Sequence, residues 1–334
     1  MPKPPAEKPH AIAVVNTLPT TIILTGATGF IGAAVLAELN RRKIRPLVLL
    51  RPESDCHRLP ALGAENAFVF SKLDEPGLAE KLRARQPSVF IHCAWRGVGG
   101  QERNADFQLT ENIPFTLASV ELAAAAGCRQ WIGLGSQAEY GNANRILDEN
   151  APAQPTTLYG KAKLAAGREA LALCAQKQLA GAWLRVFSIY GPGDHPRWMI
   201  PQVIREFLTG RAPQVTRCEQ QWDYLFVADA ARAIAGVADG KISGVFNLGS
   251  GEAWPLKKII ENIRAELKSP VQPAYGAIPY RPDQIMHLQA DIAKLRAATD
   301  WQPQVSLENG IRETVAHEKK LFALGGVLVK EAAA

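Results

Sequence analysis

A glycine-rich segment near the start of the chain constrains the fold more than any other feature of the sequence. Gly26, Gly29 and Gly32 lie between the apolar run 21–25 and the helical pattern 33–39. Glycine permits a tight turn and close approach of a phosphate, and the free amides and dipole of a helix start attract negative charge. Strand, glycine turn and helix in this order predict a binding site for a dinucleotide pyrophosphate. The spacing is Gly-x-x-Gly-x-x-Gly, and the alternative is a plain turn before a helix.

Short apolar runs alternate with helical patterns along the rest of the chain. The predicted strands are 46–50, 67–70, 88–92, 130–134, 181–187 and 244–248, and the predicted helices include 78–85, 113–126 and 158–178. Continuous apolar runs are typical of strands buried in a parallel sheet. The alternation therefore predicts an α/β fold with a doubly wound, parallel Rossmann sheet.

The regular alternation of apolar runs and helical patterns ends after residues 190–193, where longer irregular segments with several prolines begin. This change predicts a smaller C-terminal lobe for substrate, built from 188–221 and 251–330. The Rossmann domain is predicted to comprise 21–187 and 222–250, with 224–249 returning to the sheet. Residues 1–20 carry prolines and lysines and are predicted to form a flexible tail.

Composition narrows the class of partner. The 334 residues are 47% hydrophobic, and the net charge of +6 is spread without a block of like charges. Such a surface suits small anions better than nucleic acid, and no apolar stretch reaches membrane-spanning length. The five cysteines are odd in number and lack paired spacing, so we expect no disulfide scaffold and no metal site, and a cytoplasmic location.

Three polar residues indicate acid–base chemistry. Tyr159 and Lys163 are four residues apart, on one face of a predicted helix. Lowering a phenol pKa from ~10 to near 7 requires about 4 kcal/mol, which one cation at ~4 Å supplies in an effective dielectric of about 20. Ser136 follows a predicted strand, where such sheets place ligands, and can hydrogen-bond a carbonyl. The alternatives are a surface tyrosine with a solvated lysine, and a capping serine.

Together these residues make the chain resemble the extended short-chain dehydrogenase/reductases, the group of nucleotide-sugar epimerases, dehydratases and ketoreductases. The resemblance covers about 21–315 and includes Asn112 and the segments 89–94, 185–192, 246–251 and 301–303. It implies that Ser136, Tyr159 and Lys163 form a catalytic triad. It also implies that Lys163 holds the nicotinamide ribose and that Asn112 is mainly a polar helix-packing residue.

The resemblance further implies two sets of binding residues. The cofactor set comprises Gly26, Thr28, Gly29, Phe30, Ile31, Gly32, Arg51, Cys93, Ala94, Tyr159 and Lys163. The substrate set comprises Trp95, Arg96, Gln137, Arg197, Trp198, Trp222 and Arg281, of which Arg281 reaches the diphosphate. For each aromatic residue in the second set, core packing is the alternative.

Departures from the family pattern indicate which reaction to expect. Arg51 stands where NAD-preferring relatives carry an acidic residue, and a guanidinium suits the 2′-phosphate of NADPH. Gln137 and Ala138 replace the Asp-Glu pair of 4,6-dehydratases, so a dehydratase is not expected unless Glu139 is turned inward. Trp222 replaces a diphosphate-binding arginine, and this change leaves the placement of the nucleotide open.

The sequence therefore predicts NADPH-dependent reduction of the 4-keto group of a nucleotide-activated 4-keto-6-deoxyhexose, with a CDP- or GDP-linked substrate favoured. One alternative is a nucleotide-sugar 4-epimerase that retains NAD. Another is a non-catalytic nucleotide-sensing protein on the same fold. The apolar helices 113–126 and 158–178 predict a homodimer, because relatives pair these helices across a twofold axis.

Overall fold

Strands and helices alternate along the part of the chain that the computed structural model describes, residues 21–59, 64–240 and 242–325. The strands are β1 (Ile22–Thr25), β2 (Leu47–Leu50), β3 (Ala67–Val69), β4 (Val89–His92), β5 (Gln130–Ser136), β6 (Arg145–Leu147), β7 (Ala180–Val186), β8 (Ser188–Tyr190), β9 (Gln214–Val215), β10 (Gln221–Phe226), β11 (Gly244–Leu248), β12 (Ala253–Pro255), β13 (Ala274–Tyr275) and β14 (His287–Ala290). The helices are α1 (Phe30–Arg41), α2 (Leu78–Arg83), α3 (Phe107–Thr110), α4 (Asn112–Ala125), α5 (Leu158–Gln176), α6 (Met199–Leu208), α7 (Val227–Gly240), α8 (Leu256–Leu267), α9 (Ala293–Thr299) and α10 (Leu307–Ala323). The predicted tail, 1–20, lies outside the described residues.

A parallel sheet of seven strands forms the centre of the fold. Its order is β11-β7-β5-β4-β1-β2-β3, and every neighbouring pair is parallel. The strands β1, β4 and β5 are buried along their whole length, because helices cover both faces of the sheet. The predicted doubly wound Rossmann sheet is confirmed. The strand order reverses between β1 and β4, where ligands bind such sheets beyond the carboxyl ends of the strands.

The predicted strands of this sheet all form, with ends that differ by one or two residues. The largest difference is in β5, predicted as 130–134, which continues to Ser136 because Gly135 and Ser136 pair with Arg185 and Val186 of β7. The predicted helix 158–178 is observed as α5, which ends at Gln176. Ser136 is therefore the last residue of a central strand.

A second sheet contains β10, the first strand of the segment 224–249 that the sequence predicts to return to the large sheet. Its order is β12-β10-β14-β6, with β8 paired to β10, and β9 pairs with β13 separately. The expectation for 224–249 was wrong for β10, since only β11 of this segment joins the large sheet. The buried carboxylate of Asp223 on β10 explains the difference. It accepts hydrogen bonds from the backbone amides of Ser250, Gly251 and Ala290, which fix β10 beside β14.

The buried apolar residues form three clusters. One lies under α1 and α7, the second lies under α2, α4 and α5 on the opposite face of the large sheet, and the third joins α6, α8 and α10 to β8 and β10. The indoles of Trp131 and Trp183 stack at 6.2 Å in the second cluster. Across the described ranges, the helices are all too short or too polar to span a membrane.

Candidate active site at the carboxyl edge of the large sheet

The glycine turn after β1 is pressed against the chain that follows β4. Gly26 has a φ of +74°, and a Cβ on it would lie 2.5 Å from the backbone nitrogen of Ala94. A Cβ on Gly32 would collide with the carbonyl oxygen of Gly26. Helix α1 begins after Gly29 with no side-chain cap and no acidic residue in its first turn. The turn therefore offers uncapped amides at a helix start, which fits a dinucleotide pyrophosphate.

The other predicted cofactor residues surround this turn. Thr28, Phe30, Ile31, Cys93 and Ala94 are all half-buried. Burial raises the pKa of the Cys93 thiol to about 12, so this side chain is neutral near pH 7. 

Arg51, the residue predicted to bind the 2′-phosphate of NADPH, lies at the same edge of the sheet. Arg51 directly follows β2, which neighbours β1, and its side chain is exposed. Its ion pair with Glu53 is long, at 3.4 Å between Nε and Oε1. Both side chains of this pair are more than half exposed, so the contact holds Arg51 weakly.

Ser136 is held by the short 3₁₀ helix Gln137–Tyr140 that follows it. Its Oγ accepts a hydrogen bond from the amide of Ala138 at 3.2 Å, and its own amide donates to Oε1 of Glu139 at 2.9 Å. This reciprocal pair is a capping box, which fixes the serine at the end of β5. The hydroxyl proton of Ser136 stays available to donate to another group.

Glu139 is turned inward, but its carboxylate is occupied by the protein. Besides the Ser136 amide, it accepts hydrogen bonds from Nε1 of Trp183 at 2.9 Å and from Nε of Arg185 at 2.8 Å. Glu139 and Arg185 are both buried. The carboxylate is thus a structural anchor for Ser136. The Ser-x-x-Glu spacing of the capping box could have identified it from the sequence.

Tyr159 and Lys163 lie on the buried side of the first turns of α5. Lys163 donates from Nζ to the carbonyl oxygen of Leu134 at 2.7 Å, and this ammonium lies 3.6 Å from the centroid of the Trp95 ring. It is 5.9 Å from the centroid of the Tyr159 ring. Trp95 also meets Tyr159 edge to face at 6.1 Å. Ser136, Tyr159 and Lys163 therefore converge at one place beside the strand-order reversal.

The pKa shifts of Tyr159 and Lys163 differ from those that the sequence predicts. Burial raises the pKa of the Tyr159 phenol, and the Ser136 hydroxyl and the Arg103 guanidinium oppose that increase. Burial lowers the pKa of Lys163 to about 7, while Glu139 and Cys93 oppose the decrease. In the free protein the phenol pKa is thus raised, not lowered, and the ammonium, which lies 5.9 Å from the ring centroid, is itself desolvated.

A cation that the sequence analysis missed lies on the phenol. Arg103 belongs to the 3₁₀ helix Gly100–Asn104, and its Cζ is 4.6 Å from the centroid of the Tyr159 ring. Nothing in the local sequence marks Arg103, because the path of the irregular segment after β4 decides the contact. That path is fixed by two buried amides, Gln108 and Asn112.

Asn112 and Gln108 brace the loop that follows β4. Asn112 accepts from the amide of Arg96 at 3.1 Å and donates to its carbonyl at 2.9 Å. Oε1 of Gln108 accepts from Nε1 of Trp95 at 2.9 Å. Asn112 is therefore a polar packing group, as expected, and it packs the loop as well as the helix.

The predicted substrate residues differ in their exposure and in the contacts they make. The Arg96 side chain is exposed and pairs with Glu111 at 2.7 Å. Arg197 and Gln137 are not buried, and Trp198 is 40% exposed and reaches the loop at Gly99.

Two further predicted substrate residues come from more distant parts of the chain. Trp222 lies in β10 and donates from Nε1 to Oγ of Ser188 at 2.7 Å, so it has a packing role as well. Arg281 is exposed and contacts Asp283 at 3.9 Å. Burial lowers the pKa of Arg103, and the charge of Arg281 adds to that decrease. The described ranges contain no group of three His, Cys, Asp or Glu residues arranged to hold a metal ion.

The Rossmann sheet and its glycine turn are typical of proteins that bind a dinucleotide. The chain belongs to the NAD dependent epimerase/dehydratase family, whose model matches residues 22–249.

Comparison with individual proteins agrees with this family. The chain is 26% identical to dTDP-glucose 4,6-dehydratase of Neisseria meningitidis serogroup B over 88% of this chain and 92% of that protein. It is 27% identical to dTDP-4-dehydro-6-deoxyglucose reductase of Escherichia coli over 88% and 96%. Among solved structures, MoeE5 in complex with UDP-glucuronic acid and NAD matches with a TM-score of 0.75 and 25% identity, over 90% of this chain and 99% of that chain.

The burial of Lys163 generates a prediction about stability. Since its folded-state pKa is about 7 and its unfolded value 10.5, the folded protein binds fewer protons between these pH values. Stability therefore rises with pH in this window, and the burial penalty is largest below pH 7. Lys163→Met should be more stable than wild type at pH 6, by a few kcal/mol, with a gap that narrows towards pH 10.

Urea unfolding at pH 6 and pH 9.5 measures this gap. The exposed Lys161, two residues earlier on the same helix, supplies the matched control, and Lys161→Met should show no comparable change with pH. A Lys163→Met gap of equal size at both pH values would contradict the burial of a charged ammonium.

Proposed function

We propose that this protein reduces the 4-keto group of a nucleotide-activated 4-keto-6-deoxyhexose with NADPH. The observation that carries the proposal is the convergence of Ser136, Tyr159 and Lys163 beside the glycine turn, at the edge where the strand order reverses. A relative of similar length, at 27% identity, is named a reductase of a dTDP-linked 4-dehydro-6-deoxy sugar.

The residues divide the reaction between them. Bound NADPH supplies the hydride that reduces the carbonyl carbon. The Tyr159 phenol donates its proton to the carbonyl oxygen, and the Ser136 hydroxyl, whose proton is unused in the capping box, holds that oxygen. Lys163 would hold the ribose hydroxyls of the bound cofactor and so orient its nicotinamide.

The state of Glu139 favours a reductase over a 4,6-dehydratase. A dehydratase must move protons to and from neighbouring sugar carbons, which requires titratable groups beside the catalytic hydroxyl. Gln137 and Ala138 do not titrate, and the Glu139 carboxylate is engaged by Trp183 and Arg185. The dehydratase at 26% identity therefore informs the fold and family of this chain more than its reaction.

The lobe predicted from 188–221 and 251–330 contributes Arg197, Trp198 and Arg281 to the proposed nucleotide-sugar site. Trp95, Arg96 and Gln137 would line it from the large sheet, and Trp222 from β10. The exposed indole of Trp198 suits stacking on a base or sugar. Arg281 and Arg197 offer guanidinium groups for a diphosphate.

The proposed activity is tested with purified protein, NADPH and CDP-, GDP-, dTDP- and UDP-linked 4-keto-6-deoxyhexoses. We expect NADPH oxidation with one of these, CDP or GDP first, and transfer of deuterium from labelled NADPH to sugar C4. Protein that purifies with stoichiometric NAD and interconverts 4-hydroxy sugars without added cofactor would instead be a 4-epimerase. Tight nucleotide binding without turnover of any substrate would favour a sensing role.

Substitution of the phenol tests the proposed proton donor. Tyr159→Phe preserves the ring that packs against Trp95 and Arg103 but removes the proton. We expect turnover to drop by about two to four decades, with NADPH affinity close to wild type. Tyr275→Phe, which removes a hydroxyl bonded to Glu261 in another part of the chain, should keep turnover. Wild-type turnover in Tyr159→Phe would remove this residue from the mechanism.

Substitution of Arg51 tests the preference for NADPH over NADH. Arg51→Asp places a carboxylate where we propose that the 2′-phosphate binds. The ratio of NADPH to NADH affinity should fall by an amount equivalent to about 1 to 3 kcal/mol. Arg45→Asp, an exposed position before β2, controls for net charge. An unchanged ratio of the two affinities would make Arg51 a surface residue only.

The proposed homodimer depends on the outer faces of α4 and α5. Helix α5 leaves Ala172 exposed, whereas Ala124 on α4 is half-buried, so Ala172 is the position to test. Ala172→Glu should yield a monomer in light scattering, with reduced activity because Tyr159 and Lys163 lie on the same helix. Ala37→Glu, on the exposed side of α1, should leave the assembly unchanged. Monomeric wild-type protein at micromolar concentration would disprove the dimer.

A further inference from the structure

The contact between Arg103 and the face of Tyr159 has no place in the predicted triad. We infer that Arg103 is a positioning residue whose guanidinium adds a fixed positive charge that stabilises the Tyr159 phenolate when the phenol gives up its proton. This inference rests on the proposed role of Tyr159 as proton donor.

Two cations lie near the Tyr159 ring, and Arg103 is the nearer one. The Arg103 Cζ lies 4.6 Å from the Tyr159 ring centroid, within the range of a cation–π contact, while Lys163 Nζ lies 5.9 Å away. The Lys163 ammonium is also engaged by the Leu134 carbonyl and the Trp95 ring. Of these two cations, Arg103 is therefore the closer to the Tyr159 ring.

The backbone that carries Arg103 is tied to the helix that carries Tyr159. Oδ1 of Asn104 accepts a hydrogen bond from the amide of Leu158 at 3.1 Å, directly before Tyr159. The carbonyl of Glu102 accepts from Nε2 of Gln108 at 3.0 Å. Both neighbours of Arg103 are thus anchored, so the backbone from which the guanidinium reaches the phenol is held in place.

The charged groups around the phenol leave Arg103 unneutralised. Within the described ranges Arg103 forms no ion pair. Burial lowers the pKa of its guanidinium, the phenol opposes that decrease, and the charge of Arg281 adds to it. From the other elements packed against Tyr159, Ser136 lowers the phenol pKa and Glu139 raises it. Glu139 is already paired with Arg185. Arg103 therefore places a positive charge beside the phenol that lowers its pKa in the free protein, in addition to the Ser136 hydrogen bond.

Arg103 and Lys163 differ in the pH range over which each keeps its positive charge. As hydride arrives at the carbonyl carbon, the proton moves from Tyr159 to the carbonyl oxygen, NADPH is oxidised, and a phenolate remains until solvent reprotonates it. Lys163, with a pKa of about 7, loses part of its charge across the neutral range. A guanidinium keeps its charge at every pH at which the protein is folded.

The first experiment titrates the phenol without any substrate. Protein labelled with 3-fluorotyrosine is followed by ¹⁹F NMR, because fluorination lowers the phenol pKa into a range where the fold persists. The Tyr159 resonance is assigned with Tyr159→Phe. Arg103→Gln should raise the Tyr159 pKa by about one unit, and Arg103→Lys should restore most of the wild-type value. Arg129→Gln, at the opposite edge of the sheet, should change nothing.

The second experiment follows the pH dependence of turnover. Loss of the Arg103 charge should move the alkaline limb of the reduction profile to higher pH and lower kcat about tenfold at pH 7.5, with KM little changed. In the reverse oxidation, where Tyr159 accepts a proton, the rising limb should move to higher pH by the same amount.

Three results would overturn the inference. These are an unmoved Tyr159 pKa in Arg103→Gln, an Arg103→Lys protein as altered as Arg103→Gln, and a change confined to KM, which would make Arg103 a substrate contact. Because the titration needs neither substrate nor cofactor, its failure is distinct from failure of the proposed reductase activity.

Discussion

The Glu139 carboxylate is the interaction on which the geometry of the candidate site most depends. It receives the Ser136 amide, the Trp183 indole and the Arg185 guanidinium at once, and all of these groups are buried. A Cβ on Gly135 would lie 2.5 Å from Oε1 of this carboxylate, so the strand must carry glycine here for the carboxylate to approach. Removal of one partner would leave a buried charge uncompensated, which is strongly destabilising. The position of Ser136 is therefore coupled to an ion pair in the core.

That ion pair also connects the two sheets. Arg185 lies 4.5 Å from the centroid of the Tyr140 ring, and the Tyr140 hydroxyl donates to Oδ1 of Asn247 at 2.6 Å. Asn247 on β11 donates in turn to the carbonyl of Leu147 on β6 at 2.8 Å. The network runs from the end of β5 through β7 and β11 into the second sheet. The buried polar groups of this network are fully hydrogen-bonded only when every member is present. The second sheet and the Ser136 loop therefore hold each other in place.

The sequence predicts the parts of this molecule that depend on local pattern. Apolar runs and the glycine turn identify the large sheet and the dinucleotide edge, because burial on both faces leaves a continuous apolar run in each strand. Contacts between distant segments leave no such mark. The position of β10 depends on three backbone amides bound by Asp223, and that of Arg103 depends on Gln108 and Asn104. Spacing alone placed Lys163 beside Tyr159 but could not reveal that Trp95 and Leu134 would engage its ammonium.

The electrostatic state of the phenol bears on the direction of the reaction. A reductase needs Tyr159 protonated when the ketone arrives, whereas a 4-epimerase must first use the same residue as a base to oxidise a hydroxyl. Burial raises the Tyr159 pKa above its usual value, so the free protein presents a phenol at neutral pH. This protonation state suits an enzyme that meets its substrate as a ketone, in agreement with the proposed reduction.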